Sequence, residues 1–364
     1  MNKKIFILIF VIAVLSSCRN GAKDAAFQNS SRFETVLITD TLPIINLSRE
    51  VLPIDLIYPT DMVAIDTFLV VLQHHEEKII KVFSINSYKF LGEFLRKGGG
   101  PNEVIVFGRL SQWFMEEGEP KIMIQSYPNY LAVLNIRKSI EAGETVYDRK
   151  YTFEKGKKKN LFLASNSVYE INQSELMMTK DPLRSGITDN CNFFWEFYDC
   201  KTDGVKRNIV YENFTGMIDP FLKESNRLLK PDRKKAALLY SKINLIGIVD
   251  LEQASIKQIY PGGKTFNVQT ELEIDNRKSY FDEGECTDQY IFALSSKGGK
   301  VSDKANIETA PISQLDVFDW NGNYIYKVDL GERIRIISVD NNQRYLYAVN
   351  TDDAIIRYDL SALK

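Results

Sequence analysis

Both histidines of the chain stand side by side and are followed by two glutamates, His74-His75-Glu76-Glu77. Imidazoles and carboxylates bind transition metals and move protons near neutral pH. Successive side chains of a strand face opposite sides, so these imidazoles could share an ion only where the backbone turns. The four residues divide two apolar runs, which predicts a hairpin loop whose ordinary role is a solvated turn. A second acidic group, Asp282-Glu283-Gly284-Glu285 with Asp288, offers oxygens suited to calcium but lacks the spacing of an EF-hand loop. The expectation is no cofactor, with calcium as the one ion these carboxylates would suit.

Glycine supplies the other candidate chemistry. Gly98-Gly99-Gly100-Pro101-Asn102-Glu103 could cradle a phosphate, but such loops need a helix start behind them, and residues 104–107 read as β. A structural role is expected instead: Gly98 and Gly100 turn the chain, Pro101 stiffens the return, and Glu103 accepts backbone N–H groups. Gly262-Gly263-Lys264-Thr265 lacks the glycine a nucleotide loop requires at position 258, where Gln258 stands. Two histidines in one loop leave no triad spread along the chain, and no CxxC pair exists for a structural zinc. A net charge of −2 excludes a broad positive field for nucleic acid. The runs Lys157-Lys158-Lys159 and Arg233-Lys234-Lys235 lack aromatic interleaving and read as solvated loop faces.

The N-terminus reads as an export leader over residues 1–17, with Lys3 and Lys4 ahead of an unbroken apolar run at 5–15. That run is too short for an ordinary membrane-spanning helix. Leu15-Ser16-Ser17-Cys18 resembles a bacterial lipobox, in which the cysteine becomes the acylated first residue of the mature chain. Several acyl chains on Cys18 would give lasting attachment where one would not. Residues 18–32 are small and polar and read as a lipidated tether. Cys191 and Cys200 bracket one apolar run, and nine steps along a strand span about 30 Å, far beyond a disulfide. With Cys286 they are expected as free thiols.

From residue 33 onward the pattern is β throughout, with one helix expected at 221–229 after Asp219-Pro220. Residues 62–65, 68–73, 78–85 and 88–95 are four strands separated by tight turns, one blade-sized sheet. The unit recurs: an apolar strand ends in a polar residue at Phe83-Ser84, Leu134-Asn135, Tyr198-Asp199, Val249-Asp250, Phe318-Asp319 and Tyr358-Asp359. Six marks spaced by 51, 64, 51, 69 and 40 residues predict six repeats. The last repeat has three strands of its own, and an N-terminal strand, around 35–38 or 44–47, would complete it and close the ring.

The lipobox, the six-fold β pattern and the Gly98–Glu103 loop together resemble the TolB-like six-bladed propeller lipoproteins. That resemblance implies an all-β, six-bladed propeller of four-stranded antiparallel blades over 33–364, and an address in the Gram-negative envelope. Attachment would be to the outer or inner membrane, facing the periplasm or the cell surface. In such a ring the turn between strands two and three leaves from the same end as the link to the next blade. One face would gather His74, His75, Glu76, Glu77, Tyr127, Tyr130 and Asp352, together with the long connections. The expected function is non-catalytic binding of a protein, carbohydrate or peptide on that face. The alternative is an envelope hydrolase, lactonase-like with calcium or glycosidase-like, working at the channel mouth.

Overall fold

Runs such as Phe68–Leu72, buried along their whole length, need apolar cover on both faces. The computed structural model supplies it by wedging each sheet between two others. It describes residues 27–28, 32–39, 41–100, 102–107, 110, 112–127, 130–152, 165–180, 194–210, 225–265, 279–295 and 312–363. Among these residues the strands form six sheets, each an antiparallel meander of one repeat. From the channel outward, the first blade is Asp61–Ile65, Phe68–Leu72, Lys78–Ser84 and Phe90–Arg96. The second is Trp113–Glu116, Glu119–Tyr127, Tyr130–Asn135 and Tyr147–Thr152, and the third is Ser165–Asn172, Glu175–Lys180, Phe194–Asp199 and Gly204–Val210. The fourth runs Ser225–Leu229, Lys235–Tyr240, Ile246–Asp250 and Ser255–Pro261, and the fifth Phe281–Cys286, Tyr290–Ser295, Gln314–Asp319 and Tyr324–Asp329. The sixth supplies Ile334–Val339, Tyr345–Asn350 and Ile355–Asp359. The six polar-ended marks of the sequence fall at the ends of the six third strands.

The core is a set of six seams between neighbouring blades. Phe94 and Ile122 share the cluster between blades one and two, and Met123 and Met178 share the next. Trp195 and Tyr240, then Leu239 and Phe281, fill the following two. Phe292 with Leu346, and Tyr347 with Leu69, complete the circle. Each such side chain, fully buried, stabilises the ring by about 1.5–3 kcal/mol. Gly284 is held to glycine by the same packing, because a Cβ there would sit 2.2 Å from Leu239 Cδ1 of the neighbouring blade.

An N-terminal strand closes the ring, and it is Arg49–Val51, antiparallel to Ile355–Asp359. The two segments expected for that role pair elsewhere. Arg32–Ile38 lies parallel to the outer strand of blade four, and Ile44–Asn46 parallel to that of blade five. Phe27–Gln28, inside the segment read as a tether, lies parallel to the outer strand of blade three. The N-terminal chain is thus a belt over the outer edges of blades three to six, covering backbone that would otherwise stand unpaired.

The helix expected at 221–229 is a correction: Ser225–Leu229 is the innermost strand of blade four, paired with Lys235–Tyr240. Residues 219–224 lie outside the described residues. Sheet pairing and the Asn226 amide bond to the Asp282 carbonyl, 3.0 Å, override local helix propensity. A helix forms instead at Ile136–Ala142, where Asn135 accepts from the Lys138 N–H and Gly143 ends it at φ 70°.

Blades two to four are also tied by buried charge. Lys121 lies 2.5 Å from Glu116 and 2.7 Å from Asp148, while Arg149 bridges Glu116 and the fully buried Glu170 at 2.6 and 2.8 Å. Burial alone would raise the Glu116 carboxyl, but hydrogen bonds from Arg149 and Lys121 override it and hold the group at about 2. Arg233, read from sequence as part of a solvated run, instead sits 3.5 Å from Glu170 and over the Phe114 ring. Lys157, Lys158 and Lys159 lie outside the described residues.

Candidate functional site

The meander order places every turn between strands two and three, and every link to the next blade, at one end of the ring. His74, His75, Glu76 and Glu77 form that turn in blade one, and Asp352 lies in the equivalent turn of blade six. The link 52–60, which leads from the closing strand into blade one, passes between them. Tyr127 ends the second strand of blade two and Tyr130 begins its third, so their backbones reach the same face. Cys18, Pro101 and Cys191, together with most of the connections 180–191 and 296–313, lie outside the described residues.

At the seam of blades six and one these turns meet. Tyr58, held at φ 52°, donates its N–H to Asp353 Oδ2 at 2.9 Å. The His75 ring meets Tyr58 edge-on at 5.5 Å, and the Arg335 guanidinium lies 5.7 Å from the Tyr58 ring centre. Arg335 also pairs with Asp353 and donates to the Asn350 carbonyl at 3.1 Å. Beside Tyr58, the Ile57 side chain is 72% exposed while its carbonyl accepts from the buried Gln73 amide. Ile105 and Ile312, at connections on the same face, are also exposed.

The glutamates do not turn toward the histidines. Glu76 pairs with Lys81 at 3.2 Å, Glu77 pairs with Arg96, and the His74 carbonyl accepts from the Lys97 ammonium. No group of three or more histidine, cysteine or acidic side chains converges as a metal site among the described residues. In the glycine loop, Glu103 Oε2 accepts from the Gly100 N–H at 2.9 Å, and a Cβ at Gly98 would fall 1.9 Å from that oxygen. The carboxylate therefore packs directly over the glycine backbone.

Among the described residues, the channel holds a strongly perturbed carboxyl group. Glu285, on the innermost strand of blade five, accepts from the Cys286 N–H at 2.8 Å and from the Ser338 hydroxyl at 3.4 Å. Trp113, on the innermost strand of blade two, reaches it from across the ring. Burial raises this carboxyl, and the charges of Asp61 and Glu283 add to the effect. The bonds from Cys286 and Trp113 pull the other way, and the balance lies at about 8. Asp61 is occupied by the N–H groups of Met62 and Leu110, at 2.8 and 2.7 Å. Sequence reasoning grouped Glu285 with a calcium-type cluster. The two-residue period of the strand was the available signal that Glu283 and Glu285 share a face while Gly284 packs against blade four. Cys286 is a buried free thiol raised by desolvation, and the Cys200 side chain is half-buried.

A family model described as TolB-like 6-blade propeller-like matches residues 44–342. The crystal structure of a member of the DUF4221 family from Bacteroides vulgatus is similar, with 11% identity and a TM-score of 0.55. The likeness covers 87% of this chain and 97% of that one, and it concerns the fold alone. No curated protein matches the chain.

Proposed function

Because the chain belongs to the TolB-like six-bladed propeller family, we propose that it is a lipid-anchored cell-envelope protein that binds a protein partner, without catalysis, on the face built at the seam of blades six and one. The observation that carries this reading is the contrast between apolar exposure and committed polar groups on that face. Ile57 and Tyr58 at the seam, and Ile105 on the link from blade one to blade two at the same end of the ring, are 72%, 55% and 62% exposed. The nearby Arg335, Asp353, Glu76 and Glu77 are bound to one another or to neighbouring strands. Exposed aliphatic and tyrosine side chains rimmed by fixed charges suit a protein interface. Cys18 would hold the molecule at the membrane, and the belt would join the anchor to the ring.

Charged substitutions at exposed positions leave the fold in place and test the face directly. Formaldehyde cross-linking in the native envelope should give a defined adduct with the wild type. The double variant Ile57→Asp, Ile105→Asp should lose it by about tenfold or more. Equal adduct yield in both proteins would sink the reading.

One observation favours the hydrolase alternative: Glu285 retains its proton near neutral pH in a channel beside Asp61, as a general acid would. Its oxygens already serve Cys286, Ser338 and Trp113, which supports a structural role.

A further inference from the structure

On the face opposite the proposed interface, blades five and six part around a cavity of about 180 Å³. Its rim is made of turns between first and second strands: Gln289 from blade five, and Asn342 and Gln343 from blade six. Two tyrosines, Tyr290 and Tyr326, form one wall, with ring centres 6.2 Å apart in an edge-to-face arrangement. The floor is apolar, including Phe292 and, from the turn Leu360–Leu363 that follows the last strand, Leu363.

Three features of this cavity point to a ligand. Gln343 sits at φ 53°, in the left-handed region, and its side-chain oxygen is buried with no hydrogen-bond partner. A buried acceptor left unsatisfied is unfavourable, and a rotation of the Gln343 side chain that brought it to a donor in the cavity would relieve that cost. Among the described residues, no side chain lining the cavity carries a charge at neutral pH, so an ionic ligand would find no counter-charge from them. The combination of amides, phenol hydroxyls and an apolar floor matches a molecule with hydroxyl groups at its edge and C–H groups on its face. The volume lies below the roughly 300–1,000 Å³ of pockets for drug-sized ligands. We propose that this cavity binds a neutral monosaccharide, with Gln343 accepting from a sugar hydroxyl and Tyr290 and Tyr326 packing against the ring. The site shares no residue with the interface proposed above, and each can fail without the other.

The test uses the mature full-length chain and saturation-transfer NMR with D-glucose, D-galactose and N-acetyl-D-glucosamine, each at about 10 mM, tenfold above a 1 mM dissociation constant. At least one should receive saturation, and D-glucuronate should receive markedly less. Gln343→Leu, which keeps the bulk and removes the amide, should weaken binding by about fivefold or more, the effect of one neutral hydrogen bond. Should that variant fail to give the wild-type circular dichroism spectrum, Tyr326→Ala, which removes the ring that packs against the sugar, serves in its place, with the same loss expected. Saturation of none of the three sugars, equal binding by the folded variant, or equal binding of glucuronate would each overturn the assignment.

Discussion

Glu285 shows how one buried carboxyl can couple the channel to solvent pH. In the unfolded chain it ionises near its ordinary value of 4.5, whereas in the ring burial holds its proton up to about 8. Between those values the folded state binds more protons than the unfolded one. Its contribution to stability is therefore fully present below 4.5 and is lost as pH rises through 8. At 1.36 kcal/mol per pH unit, the loss between pH 4.5 and 7 is roughly 3 kcal/mol. Glu285→Gln keeps a neutral side chain that can still accept from Trp113, and it has no proton to lose. Melting curves at about pH 5, 6, 7 and 8 should show the variant gaining on the wild type as pH rises, and clearly exceeding it at the top of the range. A gap that stays constant with pH would mean that the folded channel already holds the carboxylate ionised. The same variant separates a structural carboxyl from a general acid, since a hydrolase would lose its turnover here while the protein became more stable.

The belt is the element with the largest consequence for the fold. Arg49–Val51 is exposed along its length and polar at two of its three positions, so its place in the sheet rests on backbone bonds and two ion pairs, Arg357–Glu50 at 2.6 Å and Arg49–Glu332. Removing residues 1–46 would leave this strand and the closed ring intact but uncover the outer edges of blades three to five. Such a chain should melt cooperatively at a lower temperature, by about 2–4 °C per kcal/mol lost, and self-associate in size-exclusion chromatography. Removing residues 1–51 also opens blade six, and its cooperative transition should disappear. Equal behaviour of the two truncations would remove the closing role from Arg49–Val51. The same strand marks how far the sequence could be read. Strands whose both faces are buried, such as Phe68–Leu72, announce themselves by composition, and the six third strands by a polar residue at the end of each apolar run. Arg49–Val51 carries no such signal, because a backbone-paired edge needs no particular side chains. Ser225–Leu229 misled for a related reason, since partners distant in sequence decide its conformation. At the site, the topology that gathers His75 and Asp352 on one face was legible. The Tyr58–Arg335–Asp353 contacts were not, because they join residues nearly 300 positions apart across the closing seam.

At the scale of the whole molecule, six apolar seams make a ring whose blades are each held from both sides, a rigid support for the turns at its two ends. No helix among the described residues is long and apolar enough to cross a membrane. In the reading proposed above, attachment to a bilayer comes through acyl chains on Cys18. One acyl chain binds a membrane only marginally, with an association constant of about 10⁴ M⁻¹, while two or more hold it durably. The anchor and the ring are then separable. In cells fed radiolabelled palmitate, the wild type should incorporate label and remain in the membrane pellet after a carbonate wash. Cys18→Ser should lose the label and leave the pellet, with the melting temperature of its propeller unchanged because Cys18 precedes the first belt strand, Phe27–Gln28. A Cys18→Ser protein that still carries label, or that stays in the washed pellet, would place the membrane attachment elsewhere in the chain. An unlabelled variant that left the pellet but lost the cross-linked adduct would show that the Ile57–Ile105 face meets its partner only when the ring is held at the bilayer. In that case the lipid sets the local concentration of the propeller, and the seam of blades six and one supplies the specificity.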